Sequence, residues 1–432
     1  MGGAEMSFVL KSFSYLIWGA LVMWMCAGFC MLESGSVRTK NASVICLKNF
    51  GLYAIAGIGY FTLGYNLMYV DVSGLIGSFQ FFVGPSEAEV ALMGCVDAAC
   101  VEAAAPAVVE SGQSEMSNWF FQMVFVATTA SIVSGALAER VRLWPFFIFT
   151  ALLVTLIYPI VGAWTWGEGG WLMKRGFSDI AGSTIVHSTG GWAALAGALV
   201  VGARTGKFGK DGTVRATPPS NIPIVTLGVF ILWLGWFGFN GGSVLARGDA
   251  ASAVTMSTVI VNTNLAAAAG VIASFFVSKP VLGRRDLFAT LNGGIAGLVA
   301  ITAGPTMTEP VWAIVIGGIG SVVCTLGIRL LDELKIDDVV GAIPAHLFGG
   351  IWGTLAAAIA TGANLMVQLI GVVSVGAFVF IVSWVIWAVL DKMIGVRISM
   401  QAEDIGQDAV ELGIDAYPEF VLMADSNLTE DD

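Results

Sequence analysis

Eleven apolar stretches divide the chain, each near the ~20 residues that a helix needs to cross a bilayer. Their limits are 12–32, 50–70, 118–138, 144–164, 183–203, 221–243, 252–277, 287–304, 310–331, 339–361 and 364–390. This pattern leaves little freedom in fold. Inside hydrocarbon every backbone polar group needs an internal partner, so spans of this length are helices. The expectation is an all-α membrane protein with eleven transmembrane helices. Charge agrees, at 12% of the chain against about 25% in a soluble domain. A soluble enzyme and a disordered chain are excluded. A net charge of −11 also excludes a nucleic-acid binder, which needs a basic surface.

The basic residues test the count. With eleven spans, all of the 20 except Lys11, Lys174, Arg175 and Arg247 fall on one side. This is the positive-inside pattern. It predicts the N-terminus outside and the C-terminus inside. No cleavable signal peptide is expected, because the first residues lack a basic region and the first apolar stretch is long enough to span.

Residues 1–390 read as the membrane domain and 391–432 as a cytoplasmic tail. The segment 71–117 carries seven acids and no base and reads as an external loop. It holds Cys95 and Cys100, for which a disulfide and two free thiols both fit. Cys26, Cys30, Cys46 and Cys324 read as packing residues.

The chain also repeats itself. Asp179-x7-His187-x-x-Gly190-Gly191 reappears as Asp338-x7-His346-x-x-Gly349-Gly350. Glu33-Ser34-Gly35-Ser36 and Asn240-Gly241-Gly242-Ser243 end the first and sixth spans. The second pair is farther apart by about the length of the external loop, which lies only in the first half. Two inverted five-helix repeats plus a final helix account for this.

His187 and His346 are the chain's 2 histidines, and both fall inside spans at equivalent repeat positions. Ionisable groups at depth are costly and usually functional. Burial disfavours charge, so both imidazoles are expected neutral. They would meet near the bilayer midplane, bond each other and offer an edge to a small polar solute. A satisfied core histidine is the bland alternative. Metal is not expected, since zinc wants about four ligands and too few lie at depth. Asp179 and Asp338, eight residues before each histidine, are expected two turns away on the same helix side. Asp179 reads first as a helix cap, with direct cation contact as the alternative.

Four motifs are more specific. They are Ser134-Gly135-Ala136-Leu137-Ala138-Glu139-Arg140, Asp179-Ile180-Ala181-Gly182 followed by Val186-His187, Gly235-Trp236-Phe237-Gly238-Phe239-Asn240, and Asn292-Gly293-Gly294-Ile295-Ala296-Gly297-Leu298-Val299. In this order they resemble the ammonium transporter family (Amt/Mep/Rh), on its Amt/Mep side, from about residue 12 to 418. The resemblance implies a homotrimer in the cell membrane with one pore per protomer. Phe121, Phe125, Trp166 and Ser243 resemble the external ammonium-recruiting site, and Asp179 the acid that supports it. Phe125 and Phe239 resemble the stacked gate below. His187 and His346 resemble the paired pore histidines, and Trp236 a pore-lining aromatic. Glu403, Gly406 and Asp408 resemble the regulatory tail, whose face in the family can bind a PII-type signal protein.

Two local features depart from the family pattern. Pro344 precedes the second histidine and is expected to bend the tenth helix. Trp166 is preferred to Trp164 by its following Gly167. The leading functional reading is ammonium transport without a cofactor. The alternatives are an ammonium sensor on the same fold and, more weakly, an intramembrane enzyme using His and Asp.

Overall fold

The computed structural model describes residues 2–245 and 248–419. Arg247, expected on the outer side, and the last part of the tail, 420–432, lie outside the described residues. Eleven helices follow the expected order: α1 (Gly3–Ser36), α2 (Thr39–Tyr69), α3 (Glu115–Ala136), α4 (Leu143–Thr165), α5 (Ser183–Val201), α6 (Ile222–Gly242), α7 (Ala250–Leu282), α8 (Leu287–Ile301), α9 (Val311–Glu333), α10 (Ile343–Thr361) and α11 (Leu365–Ile394). Among the described residues there is no β-strand, only isolated bridges between Val141 and Arg397 and between Phe208 and Val214.

Ten of these helices are long and apolar enough to cross a membrane. The exception is α8, with 15 residues, or about 22 Å at 1.5 Å per residue. The chain leaves the helix at Thr302 for a structural reason. The carbonyls of Thr302 and Ala303 accept from Ala181 and Ile180 (3.1 and 3.0 Å), tying this turn to the loop before α5.

Other ends also moved. α2 starts well before residue 50, because Lys48 and Asn49 are buried inside it. A lysine ends an apolar stretch on paper, but here its Nζ donates to the Ser134 carbonyl at 2.8 Å. α10 starts after residue 339, because Asp338 to Ala342 form its capping loop.

α1 and α6 pack antiparallel along their length. Gly35 near the end of α1 faces Asn221 and Val225 at the start of α6, and Gly238 near the end of α6 faces Trp18 and Leu21. α7, α8 and α9 pack through small residues: a Cβ on Gly297 would lie 2.3 Å from the Ala266 carbonyl. Such close approach of backbones is how membrane helices associate. Outward faces stay apolar, as at Phe50, 82% exposed.

The segment 71–117 is structured. It contains helices Glu87–Met93 and Ala98–Glu110, and Cys95 and Cys100 form a disulfide. Cys46 is exposed rather than packed.

Candidate functional site

α5 and α10 begin alike. Gly182 and Gly341 take positive φ, 107° and 75°, a conformation glycine adopts at little cost. The turn brings the preceding carboxylate over the N–H groups of the helix start. Asp179 accepts from four of them: Gly182 at 3.1 Å, Ser183 at 2.8 Å, Thr184 at 2.8 Å and Ile185 at 2.9 Å. These are the donors a helix start otherwise leaves without partners. Asp338 accepts from Gly341 at 3.0 Å and Ile343 at 2.7 Å. The repeat counterpart of Ile185 is Pro344, which has no N–H to donate. The acids therefore lie ahead of their helices. They are not two turns down the same face, because the eight residues include a capping loop.

Each helix then opens with a π turn, Ser183–Ser188 in α5 and Ile343–Phe348 in α10. π turns are rare and frequent at functional sites. The proline is not what distinguishes α10, since α5 has the same turn without one. Pro344 sits in the first turn, where a missing N–H is tolerated.

The two π turns bring the histidines together. Nδ1 of His187 and Nδ1 of His346 are 3.2 Å apart, and the ring centroids are 5.2 Å apart with 26° between planes. At that distance one nitrogen donates and the other accepts. Both rings are buried. Trp236 stacks on His187 at 4.8 Å and 20°, and its Nε1 donates to Thr302 Oγ1 at 2.8 Å. His187 Nε2 has no partner among the described residues.

Beyond His187 stands a column of rings. Phe239 lies 5.2 Å from His187 and stacks on Phe125 at 4.0 Å and 27°. Phe125 meets Phe121 at 4.8 Å and Trp166 at 6.4 Å. Phe125 and Phe239 are both buried, and their stack stands between Phe121 and His187. Trp166 Nε1 donates to the main-chain carbonyl of Asp179 at 2.9 Å. Asp179 thus positions this tryptophan through its backbone while its carboxylate is occupied by the helix start. Ser243 Oγ donates to the Phe239 carbonyl at 2.8 Å, which leaves its lone pairs to accept. It follows Gly242, which packs directly on the Phe121 ring.

Beyond His346 a few polar groups stand among apolar ones, with the Phe29 ring 6.2 Å away. A cavity of about 10 Å³ is lined by His346, Glu33, Ser131 and Asn292, among others. A cleft of about 530 Å³ shares Asn292 and Val340 with it, and Arg204, Lys207, Asp332 and Asp338 line that cleft.

The tail closes over the same end of the molecule. Glu403 accepts from Thr205 N and Oγ1 at 2.7 and 2.9 Å and from Arg397 at 2.9 Å. Gly406, at φ 120°, lies against Lys40. Asp408 accepts from Ser43 N and Val44 N at 2.8 and 2.7 Å, at the start of α2.

Sequence reasoning missed the ion network beneath the tail. Arg204 bonds Asp337 at 2.8 Å and Glu139 at 3.6 Å, and Arg38 bonds Glu139 at 2.6 Å. Burial pushes the Asp337 carboxyl up, but Arg140 and Arg204 outweigh it and hold it well below the usual carboxylate range. Glu139 and Arg140 stood in a quoted motif, but nothing local pointed to partners that come from three separate loops.

The model of the Ammonium Transporter Family matches residues 13–417. The ammonium transporter Amt2 of Archaeoglobus fulgidus is 38% identical, over 94% of this chain and 88% of its own. A putative ammonium transporter of Synechocystis sp. is 39% identical, over 95% and 90%. Among solved structures, a sensor Amt protein superposes with TM-score 0.83 at 33% identity, over 95% of this chain and all (100%) of its own. Candida albicans Mep2 does so with 0.76 at 27%, over 94% and 90%. With the family model covering nearly the whole length and apolar helices throughout, the chain belongs to the Ammonium Transporter Family and is a multi-pass protein of the cell membrane.

Proposed function

We propose that the protein takes up ammonium at the ring column, removes its proton and conducts ammonia between His187 and His346. The observation that carries this reading is the imidazole pair, 3.2 Å apart, at the end of a stacked aromatic path. Aromatic faces attract a cation, worth about 0.5–2 kcal/mol. Phe121, Phe125 and Trp166 supply them, and the Ser243 lone pairs accept an N–H that potassium does not have. Phe125 and Phe239 then gate the path. Carrying an unpaired ion into hydrocarbon costs tens of kcal/mol on a Born estimate, and neutral ammonia avoids most of that. Neutral imidazoles can accept from ammonia and donate to it in turn. Trp236 holds the His187 ring flat. Asp179 acts by holding Trp166 and the start of α5. The proton passes from ammonium to water at the outer mouth (NH4+ + H2O → NH3 + H3O+), with or without a separate route inward for it, and no other bond changes, so the protein is a conductor rather than an enzyme.

In this reading the ring column faces outside and the tail, residues 391–432, faces the cytoplasm. The charge distribution supports that orientation. The family resemblance supports a homotrimer and a PII-type signal protein on the tail face. The test is ammonium uptake together with electrical recording on proteoliposomes of the full chain. Ammonium-dependent uptake is expected, with a current besides where the released proton also crosses. Its absence in protein shown to bind ammonium would overturn transport.

A second reading is sensing. Thr205 lies just past α5 and bonds the tail through Glu403, so movement of the pore helix has a direct route to the tail. Ammonium-dependent change in tail protection from hydrogen exchange, with no flux, would favour it.

A further inference from the structure

We propose that Glu33 is an inner acceptor site, taking an N–H hydrogen bond from the solute that has passed His346. The inference rests on the conduction reading above and adds a station to it. Glu33 lies near the end of α1 and is fully buried. One oxygen, Oε2, accepts from Ser134 Oγ at 2.6 Å and from Asn49 Nδ2 at 3.1 Å. The other, Oε1, is buried with no partner among the described residues. A bare carboxylate oxygen in an interior is costly. This one belongs to a side chain that lines the same cavity as His346. The cavity volume, about 10 Å³, is near the minimum that admits one water-sized molecule. Ammonia is of that size.

The surroundings fit a site held ready. Lys48 is buried beside it, donates to the Ser134 carbonyl at 2.8 Å and faces the Phe146 ring at 5.2 Å. Ser134 therefore links the two side chains, through its hydroxyl to Glu33 and its carbonyl to Lys48, without a direct bond between them that would occupy Oε1. Gly135 leaves room for the Glu33 stem, which approaches to 3.4 Å of where its Cβ would be. At the other end of the fold, the repeat counterpart of Glu33 is Asn240. It too is buried, its Nδ2 donating to Thr263 Oγ1 at 3.0 Å and its Oδ1 without a partner among the described residues, but it is neutral. The acidic acceptor is thus present on the His346 side alone.

The test uses the full chain in proteoliposomes with ammonium as the probe. Glu33→Gln keeps the shape and removes the charge. Maximal ammonium flux is expected to fall by about tenfold, the scale of one lost hydrogen bond to a charged group, with half-saturation at the outer site unchanged. The double variant Glu33→Gln with Lys48→Met removes both charges, keeps the interior neutral and should show the same fall. Unchanged flux in either folded variant would overturn the proposal. Infrared difference spectra read binding without flux. Ammonium should perturb a carboxyl band in the wild type that is missing in Glu33→Gln. A band change without wild-type flux would sink conduction and keep the site, while flux without the band change would sink the site.

Discussion

The starts of α5 and α10 share a loop, a left-handed glycine and a π turn, yet their histidines face different chemistry. His187 looks onto Trp236 and Phe239. His346 looks onto a cavity with Glu33 and Asn292. The same backbone device, used twice in inverted halves, places two equal groups in unequal surroundings. The helix starts differ too. Asp179 is sealed and holds four N–H groups, while Asp338 borders the open cleft and faces a proline where one donor would be. The repeat thus conserves geometry, and the neighbours decide what each copy does.

The largest expected effect breaks the likeness of the two acids. Asp179→Ala orphans four buried donors and should cost at least about 3 kcal/mol. Asp338→Ala, next to the cleft, should cost about 1 kcal/mol, as an ordinary cap does. Thermal unfolding followed by tryptophan fluorescence compares them, and equal losses would contradict the contrast.

The histidines come next. Removing either ring leaves its partner without an Nδ1 bond, worth about 1–3 kcal/mol for a buried group, or roughly 5- to 160-fold in flux where that loss falls on the conducting state. His187→Ala should lower ammonium flux more than His346→Ala, because it also empties the space against Trp236 and Phe239. His187→Asp should alter ion selectivity. Wild-type flux and selectivity in all three would refute the role.

A smaller effect separates Asp337 from its neighbour Asp338. Asp337 is held below its ordinary value by two arginines. Its folded form therefore prefers the charged state. The stability it supplies is complete above the ordinary aspartate value of about 3.9 and is lost as pH falls below it. Wild-type melting temperature should drop on that acid side, and Asp337→Asn should flatten the drop. A parallel pH profile in the variant would count against the network.

The smallest effect makes the halves more alike. Pro344→Ala gives α10 the donor that Ile185 gives α5. A gain of about 0.5–1 kcal/mol is expected, with the π turn intact. A loss of stability would mean that the proline, not the acid, organises this start.

Much of the site was legible because its residues are rare where they stand. Two histidines in apolar stretches, at matched distances from an Asp and a Gly-Gly pair, point to each other before any fold is known. The family motifs named the ring residues, and the structure brings Phe121, Phe125, Trp166, Phe239, Trp236 and both histidines into one continuous column. Helix ends were less legible. Lys48 hid the start of α2, since a buried lysine looks like a boundary until its partner carbonyl is seen. The shortness of α8 depends on backbone bonds to the loop before α5, which no local pattern reveals.

The sequence by itself determined the class of the protein. Scarce charge and eleven apolar stretches demand membrane helices, because unpaired backbone in hydrocarbon is too costly. Repeated motifs further demand two related halves. Only the tertiary structure decided which way each polar group turns. Asp179 spends its carboxylate on a helix start, His187 and His346 meet through Nδ1, and Glu33 keeps one oxygen without a partner among the described residues. Those outcomes depend on which donors from distant segments arrive within about 3 Å, the reach of a hydrogen bond.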